Sequence, residues 1–241
     1  MRVHSEVNGV VRVLPARLGP PLGVTSVLAA ITLAVLGFAY AGRSVGSAVD
    51  LGIRTDLRQL GAPWRQIALV VDWTGEPVGA ALLLATLVLV FLRMGNRRAA
   101  LLAVAGPGVS VAVTMAMKPL VGSTINDGFL SFPSGHTATA TSFALVAMLV
   151  VAGRRQLGPA TGMLLVAVVT VPAAAAMAWA QVLLNAHYPT DTVGGFCAAV
   201  AIVPAAAWTI DRVADRRARP STEDTDDDSD DPVRRTGGTP A

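Results

Sequence analysis

The sequence predicts an all-α fold, an integral membrane bundle of six helices, on three observations. The chain has 241 residues, of which 53% are hydrophobic and only 15% charged, with a mean hydropathy of +0.56. A soluble domain carries about 25% charged residues, so the composition argues against a disordered chain, a nucleic-acid-binding module and an ordinary soluble enzyme. Six apolar segments each approach the ~20 residues a helix needs to cross a ~30 Å hydrocarbon core. Finally, Arg gathers on alternate connections between those segments, the pattern expected of cytoplasmic loops.

Segment one covers 24–41, and its run of 18 residues exceeds a signal-peptide core, so it reads as a retained helix. Segment two covers 73–92, with Glu76 near its start. Segment three covers 99–117 and contains Gly106-Pro107-Gly108. Segments four, five and six cover 134–152, 161–184 and 192–210, with Pro172 and Pro204 inside the last two. Internal proline is tolerated where neighbouring helices satisfy the freed carbonyls. In the connection 42–71, Ile53, Leu57, Leu60 and Trp64 recur at helical spacing beside Arg54, Arg58 and Arg65. That stretch reads either as an interfacial amphipathic helix or as a plain loop. Gly75-x-x-x-Gly79 is a small-residue pair of the kind that packs membrane helices.

Charge sets the expected orientation. With the N-terminus inside, twelve Arg fall on cytoplasmic segments, against four Arg and Lys118 outside. Both termini are therefore expected in the cytoplasm of a multi-pass cell-membrane protein. Residues 1–219 carry seventeen basic against nine acidic groups, whereas 220–241 carry two against seven. The expected organisation is a cytoplasmic segment 1–23, a six-helix domain 24–211 and a disordered acidic tail 212–241. The single cysteine, Cys197, permits no intramolecular disulfide and no CxxC metal site.

Ionisable groups near membrane spans are costly and mark function. On this topology three outside clusters share one depth. Lys118 ends segment three. Pro133-Ser134-Gly135-His136 opens segment four, and His187-Tyr188-Pro189-Thr190-Asp191 opens segment six. Ser134 suits an N-cap, and the first turn of the helix behind it presents unpaired N–H groups and the positive dipole end. Gly135 leaves room for an anion to approach the backbone, giving a phosphate site of the helix-N-terminus kind. His136 stands at its edge as a proton donor. His187 and Asp191 face one another if a helix starts at Pro189. A carboxylate on one imidazole nitrogen leaves the other with its lone pair, which makes a nucleophile. A metal site is not expected, because no Cys or Glu cluster joins the histidines in sequence.

Together these motifs resemble the type 2 phosphatidic acid phosphatase (PAP2) superfamily of membrane lipid phosphatases. That family's pattern is Lys, six residues, Arg-Pro; then Pro-Ser-Gly-His; then Ser-Arg, five residues, His, three residues, Asp. The second motif is complete here, as is His187-x-x-x-Asp191. The resemblance implies a six-helix bundle of the PAP2 type and a metal-free, cofactor-free hydrolysis of a lipid phosphate or pyrophosphate through a phosphohistidine. In it His187 is the nucleophile, Asp191 orients it and His136 protonates the leaving oxygen. Lys118, Ser134 and the Gly135 backbone hold the phosphate. The partners implied are a membrane lipid phosphate and the bilayer, with no nucleic acid.

The chain departs from the pattern at two cations. The family's first-motif Arg-Pro is Ile125-Asn126 here, and its third-motif Ser-Arg is Ala180-Gln181. Hydrogen bonds to charged groups contribute about 1.5–3 kcal/mol each, so two lost guanidinium contacts amount to roughly 3–6 kcal/mol of phosphate binding. Neutral donors (Ser123, Thr124, Asn126, Gln181, Asn185) or an outer-loop arginine (Arg43, Arg54, Arg58 or Arg65) are the expected compensation. The alternative is a non-catalytic relative that binds a lipid headgroup or serves as an accessory subunit.

Overall fold

The computed structural model describes residues 12–126 and 128–218. Eight helices follow in order: α1 Gly19–Ala39, α2 Ala48–Arg58, α3 Ala62–Trp73, α4 Pro77–Arg93, α5 Arg97–Val121, α6 Gly135–Arg154, α7 Pro159–Leu183 and α8 Pro189–Arg217. A two-stranded antiparallel hairpin, β1 Thr124–Ile125 and β2 Phe129–Leu130, joins α5 to α6. Helices α1, α5, α6, α7 and α8 are each long and apolar enough to cross a membrane. Helices α3 and α4, bent by 56° at the break between them, pass the same test only when joined, which makes five spans or six.

Each predicted segment became a helix, with shifted ends. Pro20 and Pro21 lie in the first turn of α1, where a missing N–H costs nothing. The helix therefore starts at Gly19 and takes in residues assigned to the N-terminal segment. At the other terminus α8 runs through 212–217, which corrects the boundary placed at 212, because Arg98 and Arg12 hold Asp215 on that last turn. Residues 1–11 and 219–241, including most of the expected acidic tail, lie outside the described residues.

The connection 42–71 is helical rather than a loop. Ser47 and Asp50 form a reciprocal capping box that starts α2, and α3 restarts with Pro63 in its first turn. Outward-facing Ile53, Ile67, Val70 and Trp73 are exposed on this pair, as on a helix lying in a membrane interface. On the inner side Ala68 packs on Ala180 and Leu183 of α7, and Trp64 meets Trp179 edge-on at 6.2 Å. The expected span 73–92 is thus shortened to α4. Gly75 and Gly79 are not a helix-packing pair. They let the chain turn the corner, since a side chain on Gly79 would strike the Trp73 carbonyl and one on Gly75 would meet His136 Cδ2 at 2.6 Å.

Helix α8 is the centre of the bundle and touches α1, α5, α6 and α7. Leu102, Val146, Leu149 and Val203 form the buried core between α5, α6 and α8. Ser142 donates to Ser110 across the α5–α6 contact at 3.2 Å, and Ser110 in turn donates to the Gly106 carbonyl at 2.8 Å, so the hydroxyls are satisfied inside an apolar bundle. At the far end Asp211 accepts from the Val13 and Leu14 backbone and from Arg98, which fixes the chain before α1 onto α5 and α8.

Gly194 and Gly195 decide how α8 meets the start of α6. A Cβ on Gly195 would collide with the Ser134 carbonyl oxygen, and one on Gly194 would press to 2.6 Å from the Phe132 ring. Gly195→Ala is expected to cost about 1–3 kcal/mol through this clash. Gly108→Ala, where a Cβ meets nothing within 4 Å, should stay within about 0.5 kcal/mol of the parent. Thermal unfolding of both variants in detergent checks the contrast, and equal melting temperatures would contradict it.

Candidate active site

The site is built where two helix N-termini meet. Ser134 is the N-cap of α6, as expected, and its Oγ faces the Thr137 N–H at 3.4 Å. The backbone N–H of Ser134 donates to the carbonyl oxygen of Asp191 at 2.9 Å, which joins the second motif to the third directly. Gly135 is half-buried, and a Cβ there would meet only Thr114 Oγ1, at an ordinary 3.6 Å. Protein packing therefore does not require glycine at this position, and the space over the first turn of α6 stays open to an anion.

Helix α8 starts at Pro189, so His187 and Asp191 come together. His187 Nδ1 lies 3.5 Å from Asp191 Oδ2 and has no hydrogen-bond partner among the described residues. The contact is long because the same oxygen already accepts the Tyr188 N–H at 2.8 Å. Both side chains are buried, His187 with 7% and Asp191 with 1% of its surface exposed. Burial pushes the His187 pKa below its ordinary value. Asp191 opposes that shift, and the charges of Lys118 and His136 reinforce it. The imidazole is therefore held neutral with one nitrogen aimed at a carboxylate, the state a nucleophile needs.

Lys118, in the last turn of α5, donates from Nζ to the Leu130 carbonyl at 3.2 Å. Gly122 ends the helix in the left-handed conformation at φ +64, and its N–H returns to the Lys118 carbonyl. The hairpin after it carries Ile125 inward, 3% exposed. The position that resembles a family arginine is thus an apolar plug under the sheet.

His136 has company that its sequence neighbours do not supply. Its Nε2 is shielded from solvent, without a hydrogen-bond partner among the described residues, and faces Asp72 Oδ1 at 3.8 Å and Glu76 Oε1 at 3.6 Å. Ligand atoms of these three residues lie within 4.8 Å of one another, so they are the described groups whose geometry could share a cation. The sequence shows no acidic cluster beside His136, but the bend between α3 and α4 brings Asp72 and Glu76 over the start of α6. Gln181, fully buried, donates to Asp72. Its amide is engaged there, which removes it from the expected set of neutral phosphate donors. Ser123 is likewise engaged, 3.4 Å from Ser131 Oγ inside the hairpin.

Two further residues were missed in the sequence. Asp50, 1% exposed, accepts from Ser47, from Tyr40 Oη and from both the N–H and the hydroxyl of Thr190, so α2 satisfies a first-turn donor of α8. Asp72 carried a signal, since an acid within the apolar run 67–73 is costly near a membrane. Of the four candidate arginines, Arg54 reaches the site loops, donating at 2.6 Å to both Asn185 and Asn126. Arg43 instead stacks on Tyr40. An apolar groove of about 180 Å³ runs between α7 and α8 on the outer surface, lined by Thr137, Val171, Ala174, Ala178, Thr192 and Phe196. Its two threonines are chain neighbours of His136 and Asp191.

Comparisons with known proteins agree with this architecture. The model of the PAP2 superfamily matches residues 79–215, more than half of the chain. A crystal structure described as the first transmembrane PAP2 type phosphatidylglycerolphosphate phosphatase, from Bacillus subtilis, superposes with a TM-score of 0.61. It is 18% identical and covers 81% of this chain and 98% of its own, a likeness of fold. No curated protein matches the sequence. Arg54, Asp72 and Glu76 precede the span that the family model matches.

The titration of His187 follows from its surroundings. Carbon-13 NMR of labelled histidine should place its pKa below the ordinary 6.5. Asp191→Asn should lower it further, because the carboxylate is the group that favours the imidazolium. A wild-type value at or above 6.5, or an upward shift in the variant, would contradict the buried neutral imidazole.

Proposed function

The chain belongs to the PAP2 superfamily, and from that membership we propose that it hydrolyses a lipid phosphate or pyrophosphate at the outer face of the membrane. The observation that carries this reading is the junction of the α6 and α8 N-termini. There the buried His187–Asp191 pair stands beside Ser134, and His187 feels the charges of Lys118 and His136.

In this reading His187 Nε2 attacks phosphorus as the bond from phosphorus to the lipid oxygen breaks, forming a phosphohistidine. His136 gives its proton to the departing oxygen. Asp191 keeps the proton of His187 on Nδ1 and stabilises the charge that develops on the ring. Lys118, the Ser134 hydroxyl and the Gly135 backbone hold the phosphoryl oxygens, where charge grows in the transition state. Water then loses a proton to His136 and attacks phosphorus, the P–N bond breaks, and phosphate leaves. The groove between α7 and α8 gives an apolar chain a path into the bilayer beside the site. The arginines around Asp211 and Asp215 support cytoplasmic termini, with the site opposite.

One observation favours the second reading, a non-catalytic protein that binds a headgroup or serves another membrane enzyme. Gln181 is spent on Asp72, and two carboxylates face His136, which makes one side of the site hostile to a dianion.

The deciding experiment measures phosphate release by purified protein in detergent from polyprenyl and glycerolipid phosphates and pyrophosphates. Wild type should turn over at least one of them, and His187→Ala should fall to background. His136→Ala should lose about 10²–10⁴-fold, the usual contribution of a positioned general acid. Equal background release from wild type and His187→Ala across the panel would exclude the phosphatase reading.

A further inference from the structure

We propose that Arg54, from the helix pair laid over the site, anchors the substrate's phosphate in place of the cations missing at positions 125 and 181, a proposal that rests on the site being a phosphate site. Three independent features of its surroundings lead there.

The first is the clasp that holds it. Arg54 Nε donates to Asn185 Oδ1 and Nη2 to Asn126 Oδ1, each at 2.6 Å. The two asparagines also bond each other, Asn126 Nδ2 to the Asn185 carbonyl at 2.6 Å and Asn185 Nδ2 to Asn126 Oδ1 at 3.1 Å. Both lie in the left-handed region, at φ +43 and +66, where asparagine is tolerated far better than most residues. The hairpin turn and the α7–α8 loop are thus shaped around one guanidinium.

The second is its charge. Both hydrogen-bond partners are neutral amides, and no carboxylate pairs with Arg54 among the described residues. Its guanidinium carbon also lies 5.0 Å from the centre of the Tyr188 ring, a contact that orients a cation without neutralising it. A guanidinium has five N–H donors, and the clasp uses two, so the outer edge of the fork remains for the paired bonds that phosphate oxygens accept.

The third is location. Asn126 follows Ile125, Asn185 stands two residues before His187, and Tyr188 follows it. Arg54 therefore sits between the hairpin that carries the Lys118 contact and the loop that carries the nucleophile. Asp72 and Glu76 instead face His136. A dianion is pushed from the carboxylates toward Lys118 and Arg54, which leaves His136 on the side of the departing oxygen.

The test uses full-length protein in detergent and inorganic phosphate as the probe, so that it needs no turnover. Arg54→Gln keeps a donor for the clasp and removes the charge. Phosphate affinity, read from the concentration dependence of Tm at constant ionic strength, should fall about 10- to 100-fold, while Tm without phosphate stays close to wild type. Wild-type binding in the variant, or no phosphate dependence in the wild type, would overturn the proposal. A second measurement covers a variant that fails to fold. Phenylglyoxal labelling of wild type, read by peptide mass spectrometry, should show phosphate protecting Arg54 and not Arg58; equal labelling of Arg54 with and without phosphate would also overturn it. Failure of the substrate panel with Arg54-dependent phosphate binding intact removes the phosphatase reading alone, so the two failures are distinct.

Discussion

Everything at the active-site end of this bundle depends on the hydrogen bond from the Ser134 N–H to the Asp191 carbonyl. It is a short backbone link between two helices that start at the same depth, and it brings two positive dipole ends to one place. Such a meeting needs close approach, which Gly194 and Gly195 permit by leaving α8 without side chains where Phe132 and Ser134 press on it. It also needs partners for the first-turn donors. Asp191 answers the Tyr188 N–H, and Asp50 answers that of Thr190 from a different helix. Once those donors are satisfied, the start of α8 is rigid enough to hold His187 in a dry pocket.

The charges of the site fall in two groups. Lys118 and Arg54 bond to the hairpin after α5, whereas Asp72 and Glu76 face His136, with Gln181 bonded to the first of them. A half-buried carboxylate without a partner is costly, so an arginine at 181 would be drawn to Asp72 as much as to any phosphate. Glutamine there satisfies the acid without placing a charge in the bundle. Gln181 and Asp72 therefore belong to one arrangement, set by the packing of α3 on the end of α7.

Much of the fold was legible in the sequence, because a membrane helix must be long, apolar and internally hydrogen-bonded. The six segments were therefore visible as runs, and the Ser134 cap and the Pro189 start were visible as local chemistry. His187 and Asp191 could be paired from spacing alone, since helical geometry brings residues four apart to one face. The path of 42–73 was not legible. Its apolar spacing suited an interfacial helix, but only contact with α7, through Ala68 and Trp64, decides that it lies across the site. Gly75 and Gly79 look like a packing pair in the sequence and serve as a corner in the fold, because glycine spacing does not distinguish a neighbouring helix from a bend.

The sequence by itself determined the membrane class, the six spans and the residues of the second and third motifs, since each follows from composition or from neighbours within one helical turn. Only the tertiary structure decided what surrounds them. It set two carboxylates against His136, turned Ile125 inward, occupied Gln181 and selected Arg54 from four candidate arginines. The settings of His136, Gln181 and Arg54 depend on contacts between residues 59 to 131 positions apart, and no local pattern encodes a distance of that kind. The physical reason is that a charge near a membrane is settled by whichever partner the packing brings within hydrogen-bond reach, and packing is a property of the whole bundle.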